Sequence, residues 1–92
     1  MISEHLSELC AQAALRFGAQ SRLTLAGEEC CELGAECLRV HRGRVDRIDA
    51  MYSEAADVAI MLEQLRHLDP KRFAAALAIK TARLEALLEV PA

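Results

Sequence analysis

Only three strong interruptions of regular structure divide this chain, and long continuous segments lie between them. Gly18 and Gly43 are typical of the residue that follows the last turn of a helix, and Pro70 is typical of a first helical position. Between these points apolar residues recur every three or four positions, which predicts helices. The predicted helices cover residues 3–17, 22–42, 46–68 and 70–89, with Ser3 and Asp46 as N-caps of the first and third.

Composition narrows the fold class further. The chain has 17 Ala and 14 Leu, whereas Val, Ile and Thr together number only 10. Few residues therefore favour a pleated sheet, and an all-β fold is excluded. Because a chain of 92 residues builds one hydrophobic core, we expect a single domain over residues 1–92. Short connections make successive helices antiparallel, so the expected architecture is an all-α, four-helix antiparallel bundle.

Charge and apolar patterning exclude several classes of function. The formal net charge of −3 argues against a protein that binds nucleic-acid polymers through general positive charge. The longest apolar run, residues 73–79, is far too short to cross a membrane, which takes about 20 residues. The four cysteines lack the spacing of a zinc site. We expect Cys30 and Cys37 to be small buried residues of a cytoplasmic protein.

The positions of four acidic side chains are the most informative feature for function. The predicted apolar stripe of helix 2 consists of Leu23, Ala26, Cys30, Leu33, Cys37 and Val40. Glu29 borders this stripe, and Glu32 follows one turn later. On helix 3, Glu54 lies within the apolar arc and Asp57 lies at its edge. The sequence thus predicts two carboxylate pairs with i, i+3 spacing that lean toward the core.

A bound cation would explain these pairs. Carboxylates one turn apart repel each other, and a buried carboxylate is unfavourable unless it is paired. Oxygen ligands select a hard metal, Mg²⁺ or Mn²⁺, and several carboxylates suggest two or more ions with a phosphate-bearing substrate. The alternative is a solvated acidic face balanced by Lys and Arg. A ferritin-like di-iron site is excluded because no His has a Glu three residues before it.

Two motifs resemble those of a known family. Residues 27–33 read GEECCEL and residues 54–62 read EAADVAIML, which resemble the E-E-x-x-E and E-x-x-D signature of the MazG-like all-α nucleoside triphosphate pyrophosphohydrolases. Lys80, Arg83 and Leu84 resemble the K-x-x-R-L of small phage-type members. The resemblance implies Mg²⁺-dependent hydrolysis of a nucleoside or deoxynucleoside triphosphate to the monophosphate and pyrophosphate.

The same resemblance implies roles for individual residues. Glu29, Glu32, Glu54 and Asp57 would be metal ligands, and Glu28 would assist a further metal ion or the attacking water. These five acids form the predicted catalytic set. The family resemblance also implies assembly as a homodimer or homotetramer.

Candidate substrate contacts lie outside the acidic motifs. Lys80 and Arg83 lie among apolar residues of helix 4 and could reach a triphosphate, or they could be surface charges that cover a helix seam. Tyr52 is our choice for stacking on the base, with core packing as the alternative. Glu36 lies outside the signature and is predicted to pair with a nearby Arg.

Gly27, Gly34 and Arg22 depart from the family pattern. Relatives usually carry a larger apolar residue at the two glycine positions and often a Gln near Arg22. Each glycine inside a helix costs about 1 kcal/mol, so it implies either the close approach of another helix or room for a base or sugar. These departures bear on substrate choice.

Apolar residues also exceed what one chain can bury. Residues 73–79 are apolar on every side of helix 4, and helix 3 adds Ala59 and Ile60 away from its main stripe. We therefore expect at least a homodimer. The rival to the enzyme hypothesis is a helical interaction or regulatory module that keeps the carboxylates but has no turnover.

Overall fold

The computed structural model describes residues 2–89, and it is helical throughout. The helices are α1 (Glu4–Phe17), α2 (Ala19–His41), α3 (Ile48–Leu68) and α4 (Pro70–Leu87), and a 3-10 turn (Val45–Arg47) precedes α3. No strand occurs within residues 2–89. The predicted all-α class with four helices is confirmed.

Local sequence signals place most of the helix ends. The Ser3 Oγ accepts a hydrogen bond from the Leu6 amide at 3.1 Å, and the Asp69 carboxylate accepts one from the Arg72 amide at 3.1 Å. Gly18 ends α1 with φ of 83°, a conformation that favours glycine. The prediction that Asp46 caps helix 3 is wrong, because its carboxylate accepts two hydrogen bonds from Arg44 instead.

The core lies between α1, α2 and α3. Among residues 2–89 its buried apolar side chains are Cys10, Ala14, Ala26 and Met61. α2 and α3 form the most extensive contact, and α1 packs mainly on α3. This arrangement holds the acidic segments of α2 and α3 side by side.

The inward face of α2 differs from the predicted apolar stripe. The buried and half-buried positions of α2 are Arg22, Leu25, Ala26, Glu29, Leu33, Ala35, Glu36 and Val40. Cys30 and Cys37 are exposed in the chain, so the prediction that they are buried is wrong. The physical reason is that this rotation brings Glu36 against Arg47 and Arg22 against Gln64, and buried polar groups require such partners.

α4 stands apart from the three packed helices. Within residues 2–89 it contacts no helix other than α3, and none of its residues is fully buried. The radius of gyration is 15.4 Å, whereas a compact domain of this length has about 12 Å. Among the described residues, no helix combines the length and apolar character that crossing a membrane requires.

Candidate metal centre

The facing surfaces of α2 and α3 bring three predicted ligands together. One carboxylate oxygen each from Glu29, Glu54 and Asp57 lies within 4.8 Å of the other two. Glu29 and Glu54 are half-buried, and Asp57 is exposed. Because Glu29 comes from one helix and the other two from the next, packing of α2 on α3 creates the cluster.

Two of these carboxylates have a buried oxygen without a partner. Among residues 2–89, no group forms a hydrogen bond with Glu29 Oε2 or with Glu54 Oε2. Burial raises the pKa of Glu29, and the neighbouring charges of Glu32 and Asp57 raise it further. Burial and then the charge of Glu32 raise the pKa of Glu54. A hard divalent cation fits this set of oxygen donors, and it would offset both the burial of the carboxylates and the repulsion between them.

The remaining two acids of the predicted set lie at the edge of the cluster. Glu32 is exposed, and its negative charge raises the pKa of Glu54. Glu28 is exposed and is not among the three acids whose oxygens lie within 4.8 Å of one another. Among the described residues, neither Glu28 nor Glu32 forms an ion pair with a basic residue.

Glu36 differs from these acids because it has basic partners. Its buried carboxylate accepts hydrogen bonds from Arg47 Nε at 3.0 Å and Arg47 Nη2 at 2.6 Å, and Arg39 adds an ion pair. The bond from Arg47 lowers the pKa of Glu36. The prediction that Glu36 pairs with a nearby Arg is confirmed. This contact ties the end of α2 to the turn before α3.

A cleft at the corner between α1 and α2 was not predicted. It has a volume of about 780 Å³ and includes Phe17, Arg22 and Glu28 in its lining. The Arg22 guanidinium lies 4.7 Å from the centre of the Phe17 ring and donates to Gln64 Oε1 at 3.0 Å. Gln64 is 42 residues from Arg22, so no local sequence signal could reveal the pair.

The predicted substrate contacts are all exposed. Tyr52 on α3 and Lys80 and Arg83 on α4 lie at the surface. Among residues 2–89, no ion pair joins Lys80 or Arg83 to the carboxylate cluster. A single chain therefore brings the acids together without bringing these cations to them.

Comparisons with protein-family models, with curated proteins and with solved structures found no match to this chain. The functional assignment therefore depends on the geometry of the carboxylates.

Proposed function

We propose that this protein is a divalent-metal-dependent nucleoside triphosphate pyrophosphohydrolase. The observation that carries the proposal is the pair of buried, unpartnered oxygens of Glu29 and Glu54 beside Asp57. Carboxylates of one charge sign are stable in such a cluster only when protons or a cation balance them. The resemblance of the two acidic motifs to the MazG-like family supplies the reaction class.

The proposed role of each acid follows from its exposure. Glu29 and Glu54 would anchor Mg²⁺ or Mn²⁺ at the half-buried end, with Asp57 and Glu32 completing the ligands toward solvent. Bound ions of this kind neutralise phosphate oxygens and activate water. The exposed Glu28 carboxylate would accept a proton from the attacking water. Attack on the first phosphorus breaks the bond to the second phosphate, so a monophosphate and pyrophosphate leave.

Positive side chains would hold the far end of the substrate. Lys80 and Arg83 on α4 are the proposed contacts to the triphosphate, and Tyr52 is the proposed contact to the base. All three are exposed and therefore accessible. Because α4 contacts only α3 within the described chain, assembly or substrate binding would have to bring its cations to the acids.

A coupled phosphate assay tests the reaction. The common ribonucleoside and deoxynucleoside triphosphates are incubated with Mg²⁺, with and without added inorganic pyrophosphatase. We expect orthophosphate only when the pyrophosphatase is present, together with the nucleoside monophosphate. Stoichiometric orthophosphate and a nucleoside diphosphate without the auxiliary enzyme would refute the mechanism. Absence of product from every nucleotide would favour the non-catalytic interaction module.

We also propose that the protein works as a homo-oligomer. The chain exposes 7035 Å² of surface, whereas a compact monomer of its mass exposes about 5,300 Å². Exposed leucines at 77, 84, 87 and 88 of the α4 region account for part of this excess. Obligate homodimers bury about 2,000–5,000 Å² in total, a range that matches the excess of two chains. A light-scattering mass of 10.1 kDa at micromolar concentration would refute assembly.

A further inference from the structure

One face of α2 is exposed and uncharged. We call it the outer strip, and it consists of Leu23, Gly27, Cys30, Cys31, Gly34, Cys37 and Leu38. All seven residues are exposed, and Leu23 and Leu38 retain 59% and 52% of their accessible surface. The acids and the two arginines of α2 lie on its other faces. An uncharged strip four turns long is unusual on a helix that faces water.

No contact within residues 2–89 requires the two glycines of the outer strip. A Cβ atom built at Gly27 or Gly34 would meet no described atom within 4 Å. Neither glycine has the positive φ that would require one. Each nevertheless costs its helix about 1 kcal/mol relative to alanine. Missing side chains are useful where another backbone approaches closely from outside the chain.

We propose that the outer strip packs against the outer strip of a second copy of this chain. The strip is nearly symmetric about Cys30 and Cys31, since Leu23 and Leu38 lie at its two ends. In an antiparallel pair related by a two-fold axis, Gly27 of one copy faces Gly34 of the other, and the cysteines lie near the axis. Because the strip carries no charge, the strips of two copies can pack together without electrostatic repulsion.

The surface excess favours a second copy as the occupant. The whole chain exposes about 1,700 Å² more than a compact monomer, a value within the range that each partner buries in an obligate homodimer, and the outer strip shares this excess with the exposed leucines of α4. The inference rests on the proposed homo-oligomer and goes further, because it assigns one contact to α2. This face of α2 is also distinct from the face that carries Glu29, so the contact leaves the acids open.

Replacement of both glycines by leucine tests the assignment. Gly27→Leu with Gly34→Leu raises helix propensity and meets open space in the chain, so the helical circular dichroism should be unchanged or stronger. We expect the light-scattering mass to fall to half that of the wild type. Ser21→Leu, which adds bulk on the side of α2 opposite the strip, should keep the wild-type mass.

Oxidative cross-linking gives a second, positive test. A variant with Cys31→Ser and Cys37→Ser keeps Cys30 as its exposed thiol, because Cys10 is buried. Mild oxidation should give a covalent dimer on a non-reducing gel, and further replacement of Cys30 by Ser should abolish it. A wild-type oligomer whose mass is insensitive to the leucines, or that forms no Cys30 cross-link, would overturn the α2 contact alone. A monomeric wild type would overturn both this contact and the proposed assembly.

Discussion

Glu29 and Glu36 lie two turns apart on the same inward face of α2, yet their surroundings are opposite. Two hydrogen bonds from Arg47 and an ion pair with Arg39 balance Glu36, and its pKa is lowered. Glu29 faces Glu54 and Asp57 instead, and burial with like charge raises its pKa. We call Glu36 a balanced acid, because arginines pair with its charge, and Glu29 an unbalanced acid, because its neighbours carry the same charge.

A structural acid can be distinguished from a candidate functional acid by whether the chain provides a basic partner. Burying a carboxylate is unfavourable unless a partner compensates, so natural chains normally supply that partner. The chain supplies it to Glu36, and also to Glu63, which pairs with Arg66. It withholds one from Glu29 and Glu54, whose unpartnered oxygens we assign to an external cation.

Removing one unbalanced acid should have the largest effect. Glu54→Gln takes away a proposed ligand and leaves an amide in its place, so we expect turnover to fall by about a hundredfold or more. Mg²⁺ should raise the unfolding temperature of the wild type by linkage but should have little effect on this variant. Initial rates and thermal unfolding curves at saturating metal measure both effects.

Glu36→Gln is the matched control for that experiment. It changes a neighbouring acid of the same helix face, but the acid is already paired within the chain. Below its unfolding temperature this variant should retain turnover within a few-fold of the wild type. Wild-type turnover in Glu54→Gln would show that the cluster is not the active site.

The same two substitutions should move stability in opposite directions. Glu36→Gln removes the contact that ties α2 to the turn before α3, so we expect the unfolding temperature to fall by about 5 °C or more. Glu54→Gln relieves repulsion, so the metal-free chain should unfold a few degrees higher. Glu8→Gln, an exposed change on α1, should shift the temperature little. Destabilisation by Glu54→Gln in the absence of metal would contradict the proposed imbalance.

Sequence reasoning succeeded where the signals are local. Ser3, Gly18 and the Asp69-Pro70 pair place helix ends through contacts within a few residues, and the structure has those ends. Glu54 could be singled out because an acid within an apolar arc breaks the pattern of a core-facing helix. Juxtaposition of Glu29 with Glu54 then follows from packing α2 on α3.

The sequence analysis predicted the wrong inward face of α2, because contacts between residues distant in the sequence determine that face. Two overlapping sets of positions on α2 could each face the core, and apolar content favoured the set with Leu23, Cys30 and Cys37. The observed face is set by Arg22 with Gln64 and by Glu36 with Arg47, and these pairs join residues 42 and 11 positions apart. Hydrophobic periodicity contains no information about such pairs. It also could not show that, among the described helices, α4 contacts only α3.

Acid titration of Glu63 tests the definition of a balanced acid. A hydrogen bond from Arg66 is the main cause that lowers the pKa of Glu63 to about 2 from its usual 4.5. A depressed pKa in the folded chain contributes stability that is fully present above pH 4.5 and is lost as the pH falls toward 2. Glu63→Gln should therefore unfold at a lower temperature than the wild type at pH 7.

The gap between Glu63→Gln and the wild type should close as the pH falls from 4.5 toward 2. Arg66 is three residues from Glu63 and also donates a hydrogen bond to Ser7 Oγ of α1 at 3.2 Å, so the pair contributes to the α1–α3 contact. Thermal unfolding of both proteins over this pH range measures the gap. A gap that is independent of pH would show that shape, and not the charge of Glu63, stabilises the α1–α3 contact.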